Sequence, residues 1–411
     1  MTNYQPHDTT ATPNLFPDLI ELHALRLTVI VDNEVDNMTS VPKDLGQTTI
    51  QQKLFKDHRN LDKERSTAPY GNCHSHATKE GEAAAGGRGM TTVNFNFNDV
   101  CCGAHGLSIL LTGIKDNKEH KVLFDTGPTS AIFLENAKRL EIEFEKIEVI
   151  VLSHWHMDHS GGMLAAVEHC QKARLQQQQQ QQEPSPVVVD LHPDRPDERG
   201  ACLSKPSPAG TTTLEQPPIE YVAWGKEPAF KDLESAGGKV SLNAQAHTIC
   251  ENYFGVSGHI PRKTTYETGI PNHVRWSDAT KTWSPEPEIM DERYVVARVK
   301  SKGLVVLTGC SHAGVINVCQ DVEQAFGSKE KDCLEKDKIF FVAGGFHLAG
   351  ASMETRIQET VKDMKEISPA FMAPGHCSGW RAKSALENAM IGQVVSLGVG
   401  SDFFITDVQD N

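Results

Sequence analysis

The chain has 411 residues, a formal net charge of −14, 38% hydrophobic residues and 23% charged ones. That is the composition of a globular protein rather than a disordered one, and its acidic balance argues against a nucleic-acid surface, which needs clustered Lys and Arg. No run approaches the roughly 20 apolar residues of a membrane span, so no membrane role is expected.

The polar stretch Met1 to Asp18 lacks the basic start and apolar core of a secretory signal. Ten cysteines without framework spacing fit free thiols in a reducing compartment, and the expected location is cytoplasmic. A polar tail over residues 1–21 is expected to precede a single domain over 22–411, interrupted by insertions at about 36–98 and 175–218. Leu22 to Asp32 reads as the first strand. The first insertion is charged, then rich in Ser, Gly and Ala; its Cys73-His74-Ser75-His76 run has no second ligand pair nearby and reads as a solvated loop.

Leu107 to Thr112 and Lys121 to Phe124 flank the turn-like Asp116-Asn117 as a hairpin. A helix is expected near Ala131 to Leu140, a buried strand at Ile147 to Leu152, and a helix over Met163 to Arg174. The latter runs into the glutamine tract Gln176 to Gln182 and a Pro-rich segment, read as a loosely ordered insertion. Strand patterning returns at Val240 to Leu242, Tyr253 to Val256, Tyr294 to Val299, Leu304 to Leu307, Ile339 to Val342 and Ala370 to Met372. Helices are expected at Val315 to Phe326, Met353 to Glu366 and Ala382 to Ala389. Strand runs followed by helices in both halves imply two sheets face to face with helices outside, an αββα sandwich of the α/β class.

The chemistry concentrates in His154-Trp-His156-Met-Asp158-His159, just past the buried strand. Zinc takes imidazole, thiolate and carboxylate ligands and, in catalytic sites, keeps a position for water. Two histidines two apart on extended chain point the same way. Asp158 and His159 follow where the chain turns before Ser160-Gly161-Gly162, so they can aim at a second metal. A single histidine would pass for an ordinary surface residue; four ligand-type residues in six positions do not.

These residues resemble the His-x-His-x-Asp-His hallmark of the metallo-β-lactamase fold superfamily. Phe124-Asp125-Thr-Gly127 resembles its early Asp motif, which implies that Asp125 supports the ligands from behind. Val256-Ser-Gly-His259-Ile-Pro-Arg262 resembles its strand-end Gly-His motif, and Pro374-Gly-His376 its last one, implying ligand roles for His259 and His376. In Leu307-Thr-Gly-Cys310-Ser-His312 a cysteine stands where the superfamily usually carries a bridging Asp. The resemblance leaves His259 or His312 as third ligand of the first metal, and Cys310 as a ligand, a close neighbour of the site or an inert buried thiol. His347 of Gly344-Gly345-Phe-His347 is expected to line the mouth or to be structural. Together the motifs are similar to the branch that includes the archaeal dihydropterin ribofuranosylaminobenzene 5′-phosphate synthase.

The expectation is therefore a metallohydrolase with two divalent metal ions, zinc first and Mn, Fe or Mg as alternatives, acting on a small anionic ester, lactone or phosphoester. Asp158 would ligate a metal and help orient the nucleophile. His347 or His312 would donate a proton to the leaving group, and Arg262 would pair with the substrate anion or form a surface salt bridge. The alternatives are a transferase similar to the synthase branch and a non-catalytic metal-binding protein. No nucleic-acid partner is expected, and the oligomeric state is not encoded legibly.

Overall fold

The computed structural model describes residues 14–36, 38–39, 42, 45–49, 97–177, 185–203, 219–327 and 337–407. The Cys73 to His76 run, and the glutamines beyond Gln177, lie outside the described residues.

Two large sheets stack face to face. One is eight-stranded, in the order β10 (Gly238–Leu242), β7 (Val187–Leu191), β6 (Ile147–Val151), β5 (Lys118–Phe124), β4 (Ser108–Lys115), β2 (Ala24–Val31), β19 (Asp402–Thr406) and β3 (Gln47–Thr48). The other runs β11 (His247–Ile249), β12 (Phe254–Val256), β15 (Tyr294–Val299), β16 (Gly303–Thr308), β17 (Ile339–Gly345) and β18 (Phe371–Gly375), with β1 (Glu21–Leu22) parallel to β15.

The strands' period of two sorts their side chains between layers. In β15, Val295, Ala297 and Val299 enter the core between the sheets with Leu25, Leu27 and Val29 of β2. Tyr294 and Val296 face outward, under α5 (Val315–Phe326), α7 (Ile357–Ile367) and α8 (Trp380–Ala389). On the far face Ile30, Leu123 and Ile150 pack beneath α1 (Ser130–Arg139), α3 (Met163–Gln177) and α4 (Phe230–Ser235). The architecture is the expected αββα sandwich, and each fully buried Val, Leu or Ile side chain contributes about 1.5–3 kcal/mol to it.

Local chemistry sets the connections. Asp116 and Asn117 both adopt positive φ, 49° and 62°, as a two-residue turn matched to strand twist requires. Glu267 caps α5, accepting from the Ile316 and Asn317 amides at 3.0 and 2.9 Å. Strands β5, β6, β16, β17 and β18 all end at one edge of the sandwich, through the parallel registers Phe124↔Val151, Thr308↔Gly344 and Gly345↔Gly375. Carboxyl ends of strands in open α/β sheets leave a crevice for ligands.

The second insertion is narrower than its sequence suggests. Val187–Leu191 is an interior strand of the eight-stranded sheet, because VVVDL buries both faces between β6 and β10. Glu198–Cys202 forms β8 of an unforeseen four-stranded sheet, order β14 (Thr282–Pro285), β13 (His273–Ser277), β8, β9 (Tyr221–Lys226). Within the tail, Phe16 and Leu19 are buried against the outer core.

Candidate metal centre

At the carboxyl edge, three imidazoles converge. His154 Nε2 lies 2.9 Å from His156 Nδ1, and His312 Nε2 lies 3.2 Å from each of these. Zinc–nitrogen bonds of about 2.0–2.1 Å in a tetrahedron set nitrogens roughly 3.3 Å apart, close to this spacing. The remaining ring nitrogens show which protons are elsewhere. His154 Nδ1–H donates to Ser153 Oγ at 2.9 Å, and that hydroxyl donates to Asp125 Oδ2 at 2.8 Å. His156 Nε2–H donates to His273 Nε2 at 2.9 Å, because His273 spends its own Nδ1–H on the Glu286 carbonyl at 2.7 Å. His154 Nε2 and His156 Nδ1 therefore meet as lone pairs, with no proton to share, which fits a cation between them.

Beside this triad sits a mixed group of Asp158, His159, Cys310 and His376, whose ligand atoms lie within 4.8 Å of one another. Cys310 Sγ is 3.2 Å from both His159 Nε2 and His376 Nε2, and His376 Nε2 is 3.1 Å from Asp158 Oδ2. Cys310 also groups with His154 and His312. The thiol thus stands between the two donor sets, where one sulfur can serve two cations.

Asp125 reaches both halves. It adopts a positive φ of 59° at the end of β5, accepts from the Ser153 amide at 2.7 Å, and takes the His159 Nδ1–H at 2.6 Å. One carboxylate thereby orients His159 directly and His154 through Ser153. Gly309 makes room for this relay, since a Cβ there would stand 2.2 Å from Ser153 Oγ and 3.2 Å from His154 Nδ1. His376 is held by Asp32, which accepts its amide at 2.7 Å, and by Asn33, which accepts its Nδ1–H at 3.1 Å.

The loop carrying His154 and His156 is clamped from the small sheet. Buried Arg199 of β8 donates to the Trp155 carbonyl at 2.9 Å and pairs with Asp291 at 2.6 Å and Glu286 at 2.8 Å. Asp291 in turn accepts the Trp155 amide at 2.8 Å. Glu292 holds the other loop, accepting from the His312 and Ala313 amides at 2.7 and 2.6 Å.

Protonation differs between the halves. Burial, and then the neighbouring imidazoles, hold His154, His156 and His312 well below the ordinary histidine value. Burial also disfavours charge on His159, but Asp158 and Asp125 outweigh it and push that ring up to about 9. Burial, with Cys377 beside it, pushes the Cys310 thiol up.

Two residues expected near the metals stand elsewhere. His259 is exposed beyond β12 and faces Asp321 of α5 on the outer side of its sheet; the third imidazole of the triad is His312. Arg262 does not line the cavity over the cluster and donates to the Glu288 carbonyl. His347 does line it, its ring edge-on to His312 at 4.3 Å and its Nδ1 without a hydrogen-bond partner.

The cavity, of about 680 Å³, brings in residues that sequence reasoning missed. His105, exposed at the cavity's rim, sets Nε2 3.5 Å from Asp158 Oδ2, while Asn33 Nδ2 approaches its Nδ1 at 3.1 Å. Trp224 of β9 stands 5.2 Å from the His156 ring. Their signal was weak: a lone His-Gly before β4, and a tryptophan in a polar strand. No Lys or Arg lines this cavity among the described residues.

A fold of two facing sheets with metal-donor groups at one strand edge is that of the metallo-β-lactamase superfamily, whose family model matches residues 105–206; the chain is a protein of this fold. Within it, the chain is 26% identical over 303 residues, 70% of its length and 85% of the other's, to 7,8-dihydropterin-6-methyl-4-(β-D-ribofuranosyl)-aminobenzene-5′-phosphate synthase of Methanocaldococcus jannaschii. An uncharacterised protein of the same organism is 28% identical over 293 residues, 71% and 91% of the two chains. A crystal structure described as a metal-dependent hydrolase of the β-lactamase superfamily superposes with a TM-score of 0.54 at 19% identity, covering 92% of this chain and 98% of that one. No helix among the described residues is long and apolar enough to cross a membrane.

Proposed function

We propose that the chain is a metallohydrolase with a dinuclear site, in which His154, His156 and His312 hold one divalent cation, Asp158, His159 and His376 hold the other, and Cys310 is shared. The observation that supports this most is the common position of Cys310 Sγ in both donor groups. A thiolate is a soft ligand, so the reading favours zinc over Mg or Mn. When bound, two such cations supply Lewis acidity to an electrophilic oxygen and lower the pKa of a water nucleophile toward neutrality.

The protein's own side chains do the rest. Asp125, Ser153, His273 and Asn33 keep the ligand rings in the tautomer that leaves a lone pair facing the site. His347, whose side chain lines the cavity, is available to hand a proton to a leaving group. Because the wall carries no Lys or Arg, negative charge on an ester, lactone or phosphoester substrate would be met by the cations and by His105 and His347.

A second reading is group transfer, favoured by the 26% identity with the synthase over most of both chains. Metal-analysed protein assayed against phosphodiesters, lactones and thioesters tests the first reading. Turnover that is lost in the His156→Ala, Asp158→Ala double variant supports it. A product that forms only when a second, acceptor substrate is supplied supports transfer instead, and full metal retention in that variant contradicts the site itself.

A further inference from the structure

A second donor cluster lies apart from the cavity, between the two large sheets near β6 and the β11–β12 turn. His120 of β5, Glu148 of β6 and Cys250 of that turn bring one imidazole nitrogen, one carboxylate oxygen and one sulfur within 4.8 Å of one another. His120 is 4% exposed, and its Nδ1 stands 2.8 and 2.9 Å from the two Glu148 oxygens. Its other nitrogen, Nε2, is buried with no hydrogen-bond partner, 3.9 Å from Glu251 Oε2. A simple histidine–carboxylate pair accounts for Nδ1. It gives the neighbouring thiol no function, and a cation in place of the Nδ1 proton would share that nitrogen and a Glu148 oxygen with the Cys250 sulfur.

The backbone is bent to present the thiol. Cys250, Glu251 and Asn252 adopt successive positive φ values of 50°, 52° and 68°, a left-handed path costly for residues with a Cβ. Tyr253 then packs edge-on to the His120 ring at 4.3 Å, closing one side. On the other side Glu148 and Cys250 line an open cavity of about 550 Å³, through which solvent reaches the cluster.

We propose that His120, Glu148 and Cys250 form a third metal site that takes Zn²⁺, with water as fourth ligand, and that pins the β11–β12 turn of one sheet to β5 and β6 of the other. Imidazole, carboxylate and thiolate are all accepted zinc donors, and three protein ligands with one water complete a tetrahedron. Binding replaces the thiol proton with a zinc–sulfur bond and the Nδ1 proton with a zinc–nitrogen bond; the thiol proton leaves to solvent and the ring proton moves to Nε2, 3.9 Å from Glu251 Oε2. The site is a brace: it joins strands far apart in sequence, beside the Lys118–Glu251 ion pair and the Tyr253 hydroxyl's hydrogen bond to the Lys115 carbonyl, which also link the two sheets at this edge.

The test counts zinc bound by the full chain after equilibrium dialysis against buffered free Zn²⁺, for wild type, Cys250→Ser and Glu148→Gln, with circular dichroism confirming the fold and melting recorded with and without zinc. The expected result is one equivalent fewer in both variants than in wild type, together with loss of part of the zinc-dependent rise in Tm. Glu148 is half-exposed, so Glu148→Gln keeps the test open if Cys250→Ser does not fold. Equal zinc content in all three proteins would overturn the site.

Discussion

The two halves of the candidate centre are built from the same loop yet prepared differently for a cation. The triad of His154, His156 and His312 is neutral, and the rings of His154 and His156 are each locked by a hydrogen bond on the far nitrogen. The group of Asp158, His159, Cys310 and His376 holds protons that a metal must displace, on His159 and on the Cys310 thiol. A cation enters the first half without competition near neutral pH, whereas it enters the second against protons. The difference predicts that the triad fills first and binds more tightly.

The strongest way to break that comparison is His156→Ala, which removes a triad ligand and severs the link to His273. Activity is expected to fall by more than the roughly 10- to 100-fold that loss of a supporting residue costs, and metal analysis should show the triad's equivalent gone. If the equivalent lost is instead the weaker, pH-dependent one, the two halves have been assigned the wrong way round.

Asp125→Asn should come next. Its carboxylate is the one group that serves both halves, so both equivalents should weaken by about 10- to 100-fold, measured by competition with a chromophoric chelator. Weakening of one alone would mean that the Ser153 relay carries no orienting force.

The pH dependence needs no substitution, and its sign follows from His159. With its ring held at about 9, His159 carries a proton at neutral pH, and binding at the mixed half releases it. Apparent affinity there should rise by up to about tenfold per pH unit per proton released, levelling for His159 above about pH 9. The triad's affinity should be flat over pH 7–9, since its rings are already neutral. In the metal-free protein the His159 pairing stabilises the fold fully below about pH 6.5 and is lost as the pH rises through 9.

Much of this was legible in the sequence. The layered fold followed from alternating runs such as Tyr294 to Val299, and the spacing just past a buried strand marked His154, His156, Asp158 and His159 as candidate donors. The rest depended on contacts that no spacing records. His273 meets His156 only because β13 pairs with β8 in a sheet whose strands are polar and half-exposed. The choice between His259 and His312 turned on which face of the seven-stranded sheet each loop follows. His259 leaves β12 toward α5, whereas Glu292 holds the His312 loop over the cluster. Reading 175–218 as one insertion failed because low-complexity sequence flanks VVVDL, a short run that is nonetheless interior.

The central claim is that one sulfur joins the two halves. X-ray absorption at the zinc edge of Cys250→Ser protein, which lacks the proposed outlying thiolate, tests it most directly when compared with the same protein carrying Cys310→Ala. The account predicts a sulfur neighbour at about 2.3 Å in the first, its complete loss in the second, and a fall in zinc content confined to the mixed half. An unchanged spectrum, or one with nitrogen and oxygen neighbours alone in both proteins, would contradict it.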